Sequence, residues 1–236
     1  MLAMLPLWYV AFLFSLTCHE AAHALAAKLG GDPTAYQAGQ VTLNPIPHIK
    51  RELWGTIVMP LLSFLMSNGG SMLGWGSAPY DPYWEQRYPK RAAWMALAGP
   101  GANIVLVLMA AIGMRIGLAT GAFHSLHPTQ ISFEKLVGAS PTSPVLEGFA
   151  LFLGILFSLN LLLAIFNLLP VPPLDGNTAI GLILPPKLND RFREFTRQPM
   201  LRMFGILIAW ILFSPLFDKI WPVTVNLIYP GIYRPI

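Results

Sequence analysis

The sequence predicts an all-α polytopic membrane protein of about five to six transmembrane helices, with a re-entrant or interfacial hairpin and a short β-like loop. Three observations carry that prediction. Of the 236 residues, 55% are hydrophobic and only 11% charged, against roughly 25% charged in soluble domains. The apolar residues fall into long blocks, several near the ~20 residues that a spanning helix needs. Lys and Arg are confined to the ends of those blocks, where positive-inside topology places them. One membrane-embedded domain over residues 1–236 is expected, with a core over 1–183 and C-terminal helices over 184–236.

The first block, residues 2–29, has no Lys or Arg before its apolar stretch and no small-residue cleavage pattern ahead of Cys18, so it reads as a retained helix, not a signal peptide. Residues 30–52 mix turn formers with a β-like stretch at Gln40 to Leu43 that could offer a strand edge. The next block, 53–73, is interrupted by Gly55, Pro60 and Asn68-Gly69-Gly70. A re-entrant or interfacial hairpin is expected there instead of a crossing. Blocks 92–118 and 145–169 are uninterrupted enough to span. Residues 201–216 are short for a span, and the stretch from Trp221 to Tyr233 is broken by Pro222 and Pro230. Trp221, Tyr229 and Tyr233 suit a membrane interface.

The net charge of +4 does not point to nucleic acid, because the basic residues form no face of their own. The densest group, Lys187, Arg191, Arg193, Arg197 and Arg202, fits a cytoplasmic surface near lipid headgroups. Lys28, Lys50, Arg51, Arg87, Lys90 and Arg91 share its side if 53–73 does not cross, whereas residues 120–144 hold only Lys135. The N-terminus is then outside.

Inside the first apolar block lies His19-Glu20-Ala21-Ala22-His23. Positions i and i+4 share a helix face, so two imidazoles can meet one metal while Glu20 handles protons beside them. Unpaired polar groups are expensive at this depth, although a proton relay or polar contacts between helices would also account for them. Catalytic zinc wants three protein ligands and a water. The positions three turns on, used by some soluble zincins, are Ala26 and Leu29 here. The candidate third ligand is Asp175, which closes an apolar block and is aimed by the helix-breaking Pro170, Pro172, Pro173 and Gly176 around it. A helix cap is its bland alternative. Cys18, one residue off the His face and the single cysteine, reads as a small packed side chain.

The pairing of "HEAAH" on the first apolar helix with "FNLLPVPPLDG" much later resembles the site-2 protease family of intramembrane zinc metalloproteases. The fit is to the branch without PDZ or CBS domains. "GGDPTAYQAGQVTLNPIPH" and "GWGSAPYDP" are similar to family loops, and "ALAGPGANI", Ala96 to Ile104, resembles the start of the second core helix. The likeness covers about residues 15–180. It implies one zinc ion held by His19, His23 and Asp175, Glu20 as general base, and Asn167 holding the substrate backbone or the developing oxyanion, with Asn160 a second candidate. Asn103 is better read as a helix-to-helix bond.

The resemblance implies peptide-bond hydrolysis within or near the transmembrane segments of single-span membrane proteins. The expected setting is a prokaryotic cytoplasmic membrane, with the site toward the cytoplasm and the lipid bilayer as its other partner. The competing class is a membrane transport or binding protein whose HExxH relays protons or holds a structural ion. A zinc protease acting on prenylated or soluble peptides, which usually takes Glu as third ligand, is a further alternative.

Overall fold

The computed structural model describes residues 2–140 and 142–230. Its helices are α1 (Leu5–Leu29), α2 (Thr34–Gln37), α3 (Pro45–Arg51), α4 (Met59–Met66), α5 (Pro82–Arg87), α6 (Pro89–Thr120), α7 (Pro144–Asn167), α8 (Gly176–Ala179), α9 (Pro186–Thr196) and α10 (Pro199–Val225). The all-α membrane architecture is as expected. Among the described residues four helical stretches are long and apolar enough to cross a membrane: Leu2–Leu29, Pro89–Thr120, Pro144–Asn167 and Met203–Val225. The shorter apolar helix Trp54–Met66 makes a fifth that does not reach across. Asn68 and Gly69 adopt positive φ directly after it and turn the chain back.

The core is the packing of α1, α6 and α7. Along α6 the buried residues Ala92, Ala96, Gly99, Asn103, Leu106, Ala110, Met114 and Gly117 recur every three or four positions, one helix face composed mainly of small side chains. Small residues let helix backbones approach closely where no hydrophobic force drives association. α7 contributes the bulk, with Ile155, Phe157 and Leu159 almost fully buried. α6 stops at Gly121, whose φ of 75° is a left-handed cap.

The last apolar region is one continuous helix, α10, not two pieces broken at the prolines. Pro215 and Pro222 both lie inside it. A membrane tolerates prolines inside a helix that is packed against its neighbours, and Thr224 Oγ1, just past Pro222, donates to the Ile220 and Trp221 carbonyls. α10 is held largely by rings: Trp8, Phe133 and Trp221 stack at 5.9 Å centroid spacings, and Phe217, Phe213 and Trp210 continue the series to Phe166 of α7. Trp221 is thus a packing residue and Tyr229 is buried, donating from its hydroxyl to the Leu136 carbonyl at 2.7 Å. Tyr233 lies outside the described residues.

The strand expected at Gln40 to Leu43 is absent. Gln40 Nε2 donates to the Pro47 carbonyl at 3.1 Å, His48 Nε2 donates to the Thr42 carbonyl at 3.1 Å, and Asn44 caps α3 through Ile46 N. These side-chain bonds, after Gly39 at φ 71°, fold the stretch into a bend. Among the described residues the strands are β1 (Phe123–His124) and β2 (Gly138–Ala139), an antiparallel pair in the loop between α6 and α7.

The opposite end, where α1 finishes, is pinned by Asp32. Its carboxylate accepts from Thr34 N at 2.9 Å, from Thr34 Oγ1, and from Asp81 N at 2.8 Å, joining the α1–α2 turn to the start of α5. Burial pushes this carboxyl upward, but the three donors outweigh it and hold it below the ordinary aspartate value. A lowered folded-state value contributes stability that is present above the unfolded value and lost as pH falls through the folded one. Asp32→Ala is therefore expected to cost about 2 kcal/mol at pH 7, with the deficit shrinking toward pH 3. Thermal unfolding in detergent at the two pH values checks this, and a pH-independent deficit would contradict it.

Candidate active site

α1 delivers His19 and His23 one turn apart, both buried, against the small-residue face of α6. Asp175 arrives from the segment after α7. Gly176 makes this possible, because a Cβ there would run into the Leu168 and Leu169 carbonyls at the end of α7. The chain doubles back tightly enough to bring the carboxylate to the helices. His19 Nε2 and His23 Nε2 are 3.0 Å apart, and Asp175 Oδ2 is 3.2 Å from each.

The proton positions follow from the hydrogen bonds. Asn160 Nδ2 reaches the Leu156 carbonyl at 2.7 Å and Ser15 Oγ at 2.8 Å; a carbonyl only accepts, so that end of the amide is the NH₂. Asn160 Oδ1 then accepts from Asn103 Nδ2 at 2.7 Å, which turns Asn103 Oδ1 toward His19 Nδ1 at 2.6 Å. His19 Nδ1 must donate. His23 Nδ1 donates likewise to the Met95 carbonyl at 2.7 Å. With its proton on Nδ1, each ring can turn a bare Nε2 lone pair toward the other ring and the carboxylate.

Three converging acceptors repel one another unless a cation sits among them. Asp175 Oδ2 is buried with no hydrogen-bond partner, and one proton could join only a pair of the three. A tetrahedral zinc with bonds of about 2.0–2.1 Å holds its ligand atoms about 3.3 Å apart, close to the observed triangle. Gly99 supplies the room: a Cβ there would meet Nε2 of both histidines. His19, His23 and Asp175 together form the cluster able to hold a metal among the described residues. Cys18 is free, half-buried and outside it.

Glu20 is buried beside the histidines. The loop after α4 lies flat on it, since a Cβ on Gly76 would come within 2.8 Å of Glu20 Cγ and Oε1. That loop is anchored by Trp75 N donating to the Gly55 carbonyl at 3.1 Å. Asn167 ends α7, half-buried, its Nδ2 donating to the Leu163 carbonyl at 3.0 Å.

Asn160 is not where a substrate contact should be. It is fully buried, and its carbonyl and amide are both committed to protein groups, so its work is to hold Asn103 and through it the His19 ring. Asn103 joins helices as expected and also fixes a tautomer, which sequence alone did not reveal. Ser15, Gly76 and Gly99 were missed. Their signal was faint: Ser15 and Gly99 are a polar and a side-chain-free residue in apolar runs, and Gly76 is one glycine in a turn-rich loop.

The sequence pattern of peptidase family M50 matches residues 7–212. The chain is 28% identical over 244 residues to the candidate zinc metalloprotease YwhC of Bacillus subtilis, covering 100% of this chain and 96% of that one. It is 29% identical over 208 residues to the candidate zinc metalloprotease Rip2 of Mycolicibacterium smegmatis, covering 88% and 67%. The Rip2 of Mycobacterium tuberculosis is 30% identical over 176 residues, 75% of this chain and 56% of its own length. No solved structure matches. With a metal-ready His-His-Asp triangle inside a bundle of membrane-length helices and a family match along most of its length, the chain is a zinc metalloprotease of the membrane and belongs to peptidase family M50, the site-2 protease family.

Proposed function

We propose that this protein hydrolyses peptide bonds within or near the transmembrane segments of single-span membrane proteins. The observation that carries the reading is the depth of the triangle. His19 lies nine residues before Lys28, at 1.5 Å per residue roughly 13 Å along α1, well inside the ~30 Å hydrocarbon layer if Lys28 marks its edge. A substrate must come to that depth.

His19, His23 and Asp175 would hold the zinc. Bound there, zinc would supply a Lewis acid for the scissile carbonyl and lower the pKa of its bound water to about 7. Glu20 takes the proton from the attacking water and returns it to the leaving amine. Gly76 leaves its carboxylate one walled side and excludes bulk water there. Asn167, open enough to be reached, offers its amide to the substrate backbone or the oxyanion. A helical substrate keeps its carbonyls bonded, so spans with Gly, Pro or Asn, which unwind locally, are the expected targets.

The site is proposed to face the cytoplasm. Arg91 Nη1 donates to the Gly30 carbonyl, Lys28 covers the Tyr36 ring and Arg193 pairs with Glu85, so the basic segments from α1, α5, α6 and α9 gather at one end. Lys135 stands alone in the loop between α6 and α7. The test is proteoliposomes holding the full chain and a single-span substrate with a Gly-Pro break. Cleavage should stop with a chelator and return with added zinc. Asp175→Ala should lose about 10²-fold or more in zinc affinity and all cleavage. Cleavage indifferent to chelation, or proton flux without any cleavage, would overturn the reading.

A further inference from the structure

A cavity of about 680 Å³ opens where α5, the first turn of α6, the Pro172–Thr178 segment and α9 meet. The volume is in the range of ligand sites. Leu174 and Asn177 line it, one on either side of Asp175 in the chain, so its wall is the segment that carries the third metal-binding group. Asn177 Oδ1 is buried and has no hydrogen-bond partner. Buried acceptors are seldom left unsatisfied, and this one waits for a donor.

The charges around the cavity are uneven. Glu85 and Arg193 neutralise each other at 3.4 Å, while Arg197, exposed on the rim, has no carboxylate partner among the described residues. A ligand that suits both features brings an N–H to Asn177 and a carboxylate to Arg197. An extended peptide brings an N–H at every non-proline residue and can carry the carboxylate on a neighbouring side chain, so it meets both features along one strand.

Resting on the protease reading above, we infer that this cavity is a subsite for the cytoplasmic flank of the substrate. In it Asn177 Oδ1 accepts a backbone N–H and Arg197 selects an acidic side chain. The consequence is a filter. Membrane spans as a class carry Lys and Arg on their cytoplasmic flanks, and a positively charged mouth repels that majority while admitting the minority with Asp or Glu there.

The test uses the full chain in phosphatidylcholine proteoliposomes with three substrates sharing one Gly-Pro-containing span and carrying an Asp-rich, Ser-rich or Lys-rich cytoplasmic flank. The wild type should cleave them in the order Asp, Ser, Lys, with kcat/KM differing about tenfold between the extremes. Arg197→Glu should reverse the order. Asn177→Leu should raise KM about tenfold for all three with kcat held, and Asn177→Asp, which keeps an acceptor, should restore KM on the Ser-rich flank. Zinc content and Tm at wild-type levels certify the variants as folded. An order unchanged by Arg197→Glu, or an unchanged KM in Asn177→Leu, overturns the inference alone. Arg197→Glu slowing all three substrates equally, and only when phosphatidylglycerol is added, would make the cavity a lipid site and also overturn it. No cleavage of any substrate by the wild type overturns the protease reading and the subsite with it.

Discussion

Glu20→Gln is expected to keep one zinc per chain and to cleave about 10³–10⁴-fold more slowly than the wild type. The amide has the shape of the carboxylate, so it fits against Gly76, where a Cβ would stand 2.8 Å from Oε1. Glu20 is also not one of the three donors in the triangle, so metal content should not change. What disappears is a group able to take a proton from water and give it to the amine, a contribution of typically 10²–10⁴-fold. The upper part of that range applies because Glu20 is the carboxylate adjoining the histidines in sequence and buried with them, and bulk water is poorly placed to substitute. Elemental analysis and single-turnover cleavage in proteoliposomes measure the two quantities. A variant that cleaves within tenfold of the wild type would take the proton-transfer role away from Glu20. One that loses zinc would make Glu20 a ligand.

How far this site could be read from residues alone depended on the range of the physics. His19 and His23 were legible because their relation is local, one helical turn. Asp175 was legible because Pro and Gly announce a chain reversal wherever it falls. The bundle itself followed from apolar length. The relay from Ser15 through Asn160 and Asn103 to His19 was not legible, since it links α1, α6 and α7 and depends on how those helices are rotated against one another. Asn160 looked like a substrate contact for that reason. A lone amide in an apolar run signals only that it must find a partner, not which. The bend at Gln40 to Leu43 misled in the opposite way: its residues suit a strand, but the His48 side chain takes the Thr42 carbonyl and the Gln40 side chain ties the stretch to the Pro47 carbonyl. Pro222 likewise suggested a break in a helix that continues, because breaking it in lipid would expose more carbonyls than the proline itself does.

Gly99→Ala should remove the metal and, by helix propensity, leave the helix no weaker. Gly99 lies in the middle of α6 where its missing side chain faces the triangle, and an added Cβ would come against Nε2 of His23 and within 2.6 Å of Nε2 of His19. Both distances are below any real carbon contact, so the rings must turn away. Their Nδ1 bonds to Asn103 and the Met95 carbonyl would have to break with them. Zinc affinity should fall more than about 10²-fold, the scale seen when ligand orientation alone is disturbed, and cleavage should fall with it. Helix propensity acts the other way, since Ala in place of Gly favours a helix interior by about 1 kcal/mol. Gly101→Ala provides the control on the same helix. A Cβ there meets nothing within 4 Å, so that variant should keep zinc and cleavage and gain a little in Tm. Two neighbouring Gly→Ala changes thus share one backbone effect and differ only in whether a methyl group occupies the space between two imidazoles. A Gly99→Ala protein that still carried one zinc per chain and cleaved normally would show that the metal does not bind where His19, His23 and Asp175 converge.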